Sequence, residues 1–225
     1  MTFHVLTLFP EVFKALTHSM IKRGVDDGKI VINLVNIREF AINGRGQTDG
    51  YPYGGGAGMI MMAQPIYDAY KSLETAPSRV VYLSPQGRTF DQALAAELAT
   101  EADLVLLCGH YEGVDQRVID EIVTDEISLG DFVLTGGEIA AMAIIDAVGR
   151  LVPGVIKAES LADESFSDGL LEYPQFTRPR SFMGRDVPEV LLSGHHGEVE
   201  KWRREQALEA TRRKRPDLLE GQKDG

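Results

Sequence analysis

Apolar residues recur along the chain in short unbroken runs separated by polar, glycine-marked stretches. FHVLTLF (3–9), RVVYLS (79–84) and DLVLLCG (103–109) each have the length of a strand. Continuous apolar runs of that length suit strands covered on both faces. KIVINLVNI (29–37) alternates, as a strand does. Helices are predicted between these runs. The first is PEVFKALTHSMIKR, begun by Pro10 and stopped by Gly24; QPIYDAYKSLE (64–74) is the next. FDQALAAELA follows, with Thr89 and Gln92 as a capping box, and then a short helix around VDQRVIDEIV. EIAAMAIIDAVGRLV comes after ISLGDFVLTGG. Apolar strands alternating with helices predict an α/β domain with a parallel sheet.

From Ile156 the pattern changes. KAESLADESFSDG (157–169) is polar, rich in small residues and without apolar period, the composition of a linker. Beyond it a helix is predicted from about Glu198 to Arg213. It places Val199, Trp202 and Leu208 near one face and basic residues around the rest. The organisation is therefore an α/β domain over 1–157, a linker over 158–174 and a small helical domain over 175–225.

Composition narrows the class. Of 225 residues, 44% are hydrophobic and 25% charged, the balance of an ordinary globule. No apolar run approaches a membrane span, and MTFHVLTLFPEVF lacks the basic start and cleavage site of a signal peptide. A single cysteine, Cys108, excludes a disulfide framework and reads as a buried, reduced thiol of a cytoplasmic protein. The net charge of −11 argues against nucleic acid as a partner, but it is unevenly spread. Residues 1–159 carry 12 basic and 21 acidic side chains, whereas 200–215 carry seven basic and three acidic ones. The basic residues sit on the predicted C-terminal helix.

Three loops leave the carboxyl ends of apolar strands: LSPQGR (83–88), GHYEGVD (109–115) and LGDFVLTGGE (129–138). Ligands of open α/β sheets bind at that edge. Any one glycine there is a tight turn; three coincident loops predict a pocket lined by backbone. YPYGGGAGMIMM (51–62) packs four glycines into five positions, which a phosphate, a base or another stretch of chain could exploit. No lysine or hydroxyl closes it, so it is not a phosphate loop, and no dinucleotide fingerprint follows the first strand. Glu112 is a candidate for facing a ligand, or a solvated loop charge. Arg150 ends a helix, where favourable dipole contact alone explains it. Asp163, Glu164 and Asp168 fall in the linker. The five histidines show no metal-ligand spacing, and His195-His196 suit a helix entry. The residues alone reach a ligand-binding α/β protein with a basic helical appendage, and no reaction.

At these same loops the chain resembles a family, the bacterial tRNA (guanine-N1)-methyltransferases of the TrmD type, in the SPOUT superfamily. The matching stretches are LTLFPEVF (6–13), PYGGGAGMIMM (52–62), VVYLSPQGR (80–88), LCGHYEGVDQRV (107–118), SLGDFVLTGGE (128–138), GRLVPGV (149–155), ESFSDGLLEYPQFTRP (164–179) and VPEVLLSGHHGEVEKWRREQAL (187–208). They run in one order through nearly the whole chain.

The resemblance implies a SPOUT methyltransferase domain with a parallel sheet and a deep trefoil knot, plus a small C-terminal helical domain that binds tRNA. It implies S-adenosylmethionine in the knotted crevice, held by Tyr82, Leu83, Ser84 and Pro85 from the first loop and Gly109, Tyr111 and Glu112 from the second. The third loop would add Leu129, Gly130, Asp131, Phe132, Val133, Leu134, Gly136 and Gly137. The methyl group would go to N1 of guanosine 37, beside the anticodon. That nitrogen carries a proton at neutral pH, so the reaction needs a general base and a cation near O6. Arg150 matches the family's arginine. Where the family has an Asp before Ser-Phe, this chain has Glu164, with Asp163 preceding it; Glu164 is expected as the base and Asp163 is its rival. His110 stands where arginine is common and Phe132 where tyrosine is common. The glycine-rich stretch matches a signature near the target-guanine side. The family also implies a homodimer with sites shared across the interface, and Mg²⁺, for which no ligands are assignable. Beside this stand a non-catalytic RNA- or nucleotide-binding protein that lost the base, and a relative that methylates another RNA position.

Overall fold

The computed structural model describes residues 1–44, 46–75, 77–157, 160–161, 164–166 and 168–220. The chain forms two compact units, Met1–Lys157 and Ala158–Gly225.

In the first unit, β1 (Thr2–Thr7), β2 (Val31–Asn36), β5 (Arg79–Thr89), β6 (Asp103–Cys108) and β7 (Asp125–Ser128) form one sheet. Its order is β2-β1-β6-β5-β7, and every neighbouring pair is parallel. Two-residue strands β3 (Asp49–Gly50) and β4 (Ile60–Met61) pair separately and antiparallel. The continuous apolar runs are explained by the pleat, which sends successive side chains to opposite faces. Val81, Leu83, Leu104, Leu106 and Cys108 face α1 (Ser19–Asp26), α3 (Gln92–Leu98) and α5 (Glu138–Gly149). Val80, Tyr82, Val105 and Leu107 face α2 (Ala63–Lys71) and α4 (Gln116–Ile122). Both faces are buried, so the strands are largely apolar, and the buried polar side chains Thr7 and His4 have hydrogen-bond partners in Glu138 and Asn33. Strand β2, at the sheet edge, does not alternate in burial as expected: Val31, Asn33 and Leu34 are exposed and Ile32, Val35 and Asn36 half-buried.

Two helix boundaries differ from the sequence reading. The first helix is broken: a 3-10 segment (Pro10–Thr17) gives way to α1 after an extended His18 and a left-handed Ser19 (φ 62°). The Thr17 hydroxyl donates to the Lys14 carbonyl at 2.7 Å, a local bond that competes with helix continuation. Gly24 is no stop. It lies buried inside α1, where a Cβ would come within 3.0 Å of Ile30 and 3.1 Å of Val155. The helix ends at Asp27, and Gly28 takes φ 66°. The anticipated capping box at Thr89 is likewise replaced: Asp91 is the cap of α3, accepting from the Leu94 N–H at 2.8 Å. An Asp next to the first turn outcompetes a Thr still held in strand β5.

β5 runs past the end of its apolar stretch because it bulges. Leu83 and Arg88 both lie opposite Ile127 of β7, so residues 84–87 loop out between them. Gly87 lets the chain return: a Cβ there would collide with the Glu126–Ile127 backbone.

The second unit contains a short hairpin (Ser181–Phe182 with Arg185–Asp186), a 3-10 turn (Glu189–Leu192) and the long helix His196–Lys214, followed by Asp217–Glu220. His195 is the residue before that long helix, matching the helix entry expected at the histidine pair. Ala207 and Thr211 are its buried residues; Val199, Trp202 and Leu208 are half-buried. Glu198 lies in its first turn and Arg212, Arg213 and Lys214 in its last, an arrangement favoured by the helix dipole.

Candidate active site

An open cleft of about 260 Å³ lies where β6 and β7 end and where β5 bulges. The bulge contributes Leu83, Ser84, Pro85 and Gln86, the loop after β6 contributes 109–113, and the loop after β7 contributes Leu129 and 132–137. The three loops singled out in the sequence therefore meet at one place. Tyr82 closes the floor. Burial above all, with Glu126 adding, pushes its phenol up against a backbone hydrogen bond with Val114, so the ring stays neutral. Cys108 lies beneath, fully buried; burial first and Glu138 second push its thiol well above the usual range, which leaves it inert.

Glycines shape this cleft because backbone and rings crowd it. A Cβ on Gly137 would sit 2.8 Å from the Cys108 Cα, and one on Gly109 2.9 Å from the Tyr82 ring. The Gly137 N–H donates to the Gly109 carbonyl at 2.8 Å, tying the second loop to the third. Tyr111 is held at φ 59°, a left-handed conformation costing about 1–3 kcal/mol for a side-chain-bearing residue. The neighbouring His110 packs its ring between Phe9 (4.9 Å) and Tyr111 (5.1 Å). Its Nδ1 is buried without a hydrogen-bond partner among the described residues.

The glycine-rich stretch joins the same cleft through Glu112. Gly54, Gly55, Gly56 and Gly58 all have positive φ. A Cβ on Gly58 would overlap the Glu112 side chain, 2.8 Å from its Cδ. The Glu112 N–H donates to the Met59 carbonyl (3.0 Å), and Met61 N–H donates to Gly113 (2.9 Å). The Glu112 carboxylate approaches Gly58 alone: a Cβ at Gly54 or Gly55 would meet nothing within 4 Å, and one at Gly56 only Pro52 at 3.7 Å. Of the methionines that follow, Met61 is fully buried, and the others are less so.

Of the residues expected to hold the cofactor, Gly130 and Asp131 are not among those lining the cleft. Gly130 (φ 150°) turns the chain, its N–H donating to Ser128 Oγ at 3.1 Å, and Asp131 is exposed. Gln86, His110, Gly113, Ile127, Ser128, Thr135 and Ala140 line it although the sequence reading named none of them for that role. All but Ile127 adjoin an anticipated residue or stand one helix turn from Gly136, and that adjacency was the available signal. A buried Thr7–Glu138 hydrogen bond (2.8 Å) also escaped notice; it pins the start of α5 to β1.

Arg150 caps the carboxyl end of α5, at the opposite end of that helix from the cleft-lining Gly137. In the second unit, Glu164 lines a separate groove of about 880 Å³ with Asp168, Lys201, Arg203 and Arg204. The Arg203 guanidinium lies 4.8 Å over the Tyr173 ring. Asp163 falls outside the described residues. Among the described residues no cluster of three His, Cys, Asp or Glu side chains could hold a metal ion, and no helix is long and apolar enough to cross a membrane.

Comparison with known proteins decides the family. The family model described as tRNA (Guanine-1)-methyltransferase TrmD matches residues 1–221. The chain belongs to this family. A relative from Exiguobacterium sibiricum, named tRNA (guanine-N(1)-)-methyltransferase, is 60% identical over 221 residues, 98% of this chain and 91% of its own. Relatives of the same name from Moorella thermoacetica and Clostridioides difficile are 57% and 52% identical, covering 96% and 97% of this chain and 88% and 97% of their own. At the cleft the His110 imidazole fills space between two rings, and backbone groups of Gly109, Glu112 and Gly113 make hydrogen bonds there.

Proposed function

We propose that this protein transfers a methyl group from S-adenosylmethionine to N1 of guanosine 37 in tRNA. The observation that carries the reading is the family match over nearly the whole chain, with curated relatives bearing the guanine-N1-methyltransferase name. The cleft fits the cofactor chemically. Backbone amides and carbonyls at glycines that no Cβ could share suit an adenine edge, while Leu83, Ile127, Leu129 and Leu134 suit its faces. Bound S-adenosylmethionine supplies the electrophilic methyl group. Gly109, Gly136 and Gly137 admit the adenosine close to the strand ends, and Glu112, seated over Gly58, offers a carboxylate at the mouth.

The guanine must lose its N1 proton as N1 attacks. Glu164 takes that proton as general base, or Asp163 does from the preceding position. Arg150 stabilises the negative charge that grows on O6. In this reading residues 1–157 are the SPOUT domain with its trefoil knot, 158–174 the linker, and 175–225 the tRNA-binding helical domain. Sites shared across a homodimer would bring the linker of one subunit to the cleft of the other. Mg²⁺ enters through the resemblance alone, and no step is assigned to it. A cytoplasmic location follows from the substrate.

Primer extension on tRNA with guanosines at 36 and 37 tests the reading. A stop at 37 should need both protein and S-adenosylmethionine; its absence would overturn the proposal in favour of a binding protein, and a stop elsewhere would favour another target position. Glu164→Gln should abolish single-turnover methylation with cofactor binding intact, while Asp163→Asn stays active. The reverse pattern moves the base to Asp163.

A further inference from the structure

The segment that follows Glu164 is closed on itself and tied to the long helix. Ser165 Oγ accepts from the Glu172 N–H at 3.0 Å, joining the two ends of the loop. Inside it, Phe166 N–H donates to the Leu170 carbonyl at 2.7 Å, with Phe166 at φ 76° and Gly169 at φ 69°. A left-handed phenylalanine is strained, and such a conformation persists only when surrounding contacts hold it. One such contact comes from 40 residues away: the Leu171 N–H donates to Thr211 Oγ1 at 2.8 Å. That hydroxyl in turn donates to the Ala207 carbonyl at 2.7 Å, one turn earlier in the helix. Thr211 has no exposed surface, so its hydroxyl finds its partners within the protein rather than in water.

From this geometry we infer that Thr211 is a positioning residue for the methyl transfer: its hydroxyl fixes the loop whose first residue follows the base. The inference rests on the reading of Glu164, or its neighbour Asp163, as general base. A hydroxyl is needed rather than shape. Valine would fill the same volume but take away the partner of the half-buried Leu171 N–H, whereas serine keeps both hydrogen bonds. Proton abstraction depends steeply on placement, and misplacing a catalytic group by about 1 Å can cost about 100-fold.

The test compares single-turnover methylation of tRNA by the full-length wild type, Thr211→Val, Thr211→Ser, Glu164→Gln and Asp163→Asn. Calorimetric S-adenosylmethionine affinity and Tm are measured for each. Thr211→Val should slow the methyl-transfer step about 10- to 100-fold. Its cofactor affinity should stay unchanged at a temperature well below its Tm, and Thr211→Ser should restore the rate. A wild-type rate in Thr211→Val, or a serine variant as slow as the valine one, would overturn the positioning role. If Thr211→Val is wild-type while a carboxylate variant is dead, positioning alone fails; if both carboxylate variants are active, the base assignment fails and the positioning role with it.

Discussion

The cleft of the first unit and the helix of the second are built from opposite materials. The cleft is lined by apolar and aromatic side chains and by Gly109, Gly136 and Gly137, where a Cβ would meet its neighbours at 2.9 Å or less, above a sheet buried on both faces. The helix His196–Lys214 has only Ala207 and Thr211 buried and presents exposed Lys201, Arg204, Arg212, Arg213 and Lys214. Under the proposed function the first would recognise its ligand by shape, and the second would recognise RNA by charge, which tolerates side-chain motion and is screened by salt.

The salt response should separate them most sharply. If on the order of five phosphates are contacted, tRNA affinity falls about 100-fold or more between about 50 and 200 mM salt through counterion release. Cofactor affinity, measured by calorimetry over the same range, should barely move. A flat tRNA response would remove the helix from the RNA interface.

Gly137→Ala should strike the cleft next. Its Cβ would meet backbone at Cys108, and overpacking of that kind costs about 1–3 kcal/mol, or about 5- to 150-fold in cofactor affinity. Titration calorimetry showing wild-type affinity would mean the walls are softer than they look.

Gly58→Ala tests the link between the glycine loop and Glu112. Left-handed strain costs about 1–2 kcal/mol, and displacing the Glu112 side chain adds to it. Urea unfolding should show a smaller loss from the same substitution in a Glu112→Ala background; equal losses would leave strain as the whole effect.

The smallest effect concerns the charged cluster at the start of β5. Burial opposes ionisation of Asp125, but hydrogen bonds from Arg79 and Thr124 outweigh it and hold its carboxyl below the ordinary 3.8. A depressed folded value means the contribution is present above about pH 3.8 and is lost as pH falls through the lower folded value. Asp125→Asn should therefore cost about 0.5–1 kcal/mol at neutral pH, and the gap from wild type should close in acid. Thermal unfolding across pH 2–7 checks this, and a gap that widens on acidification would contradict it.

Much of this was legible in the residues. The apolar runs DLVLLCG and RVVYLS marked buried strands because a sheet covered on both faces leaves few polar positions, and three glycine-bearing loops marked the edge where the cleft lies. The break at Ser19 was not legible, since Pro10–Arg23 has unbroken helical spacing and the interruption rests on one left-handed residue. Gly24 misled for a related reason: a glycine needed for close packing against Ile30 and Val155 looks, in sequence, like one needed for a stop. Gly130 and Asp131 sit in the right loop, yet the turn at Gly130 and the exposure of Asp131 keep both out of the lining.

The sequence by itself determined the α/β class, the three pocket loops, the basic C-terminal helix and, through its motifs, the family, because each of these is written in local spacing or in contiguous residues. Tertiary structure alone decided that Gly58 makes room for Glu112 and that Thr211 moors the loop beside Glu164. Those pairings join residues 54 and 40 positions apart. No local pattern encodes them, because they exist only once packing has closed the chain between.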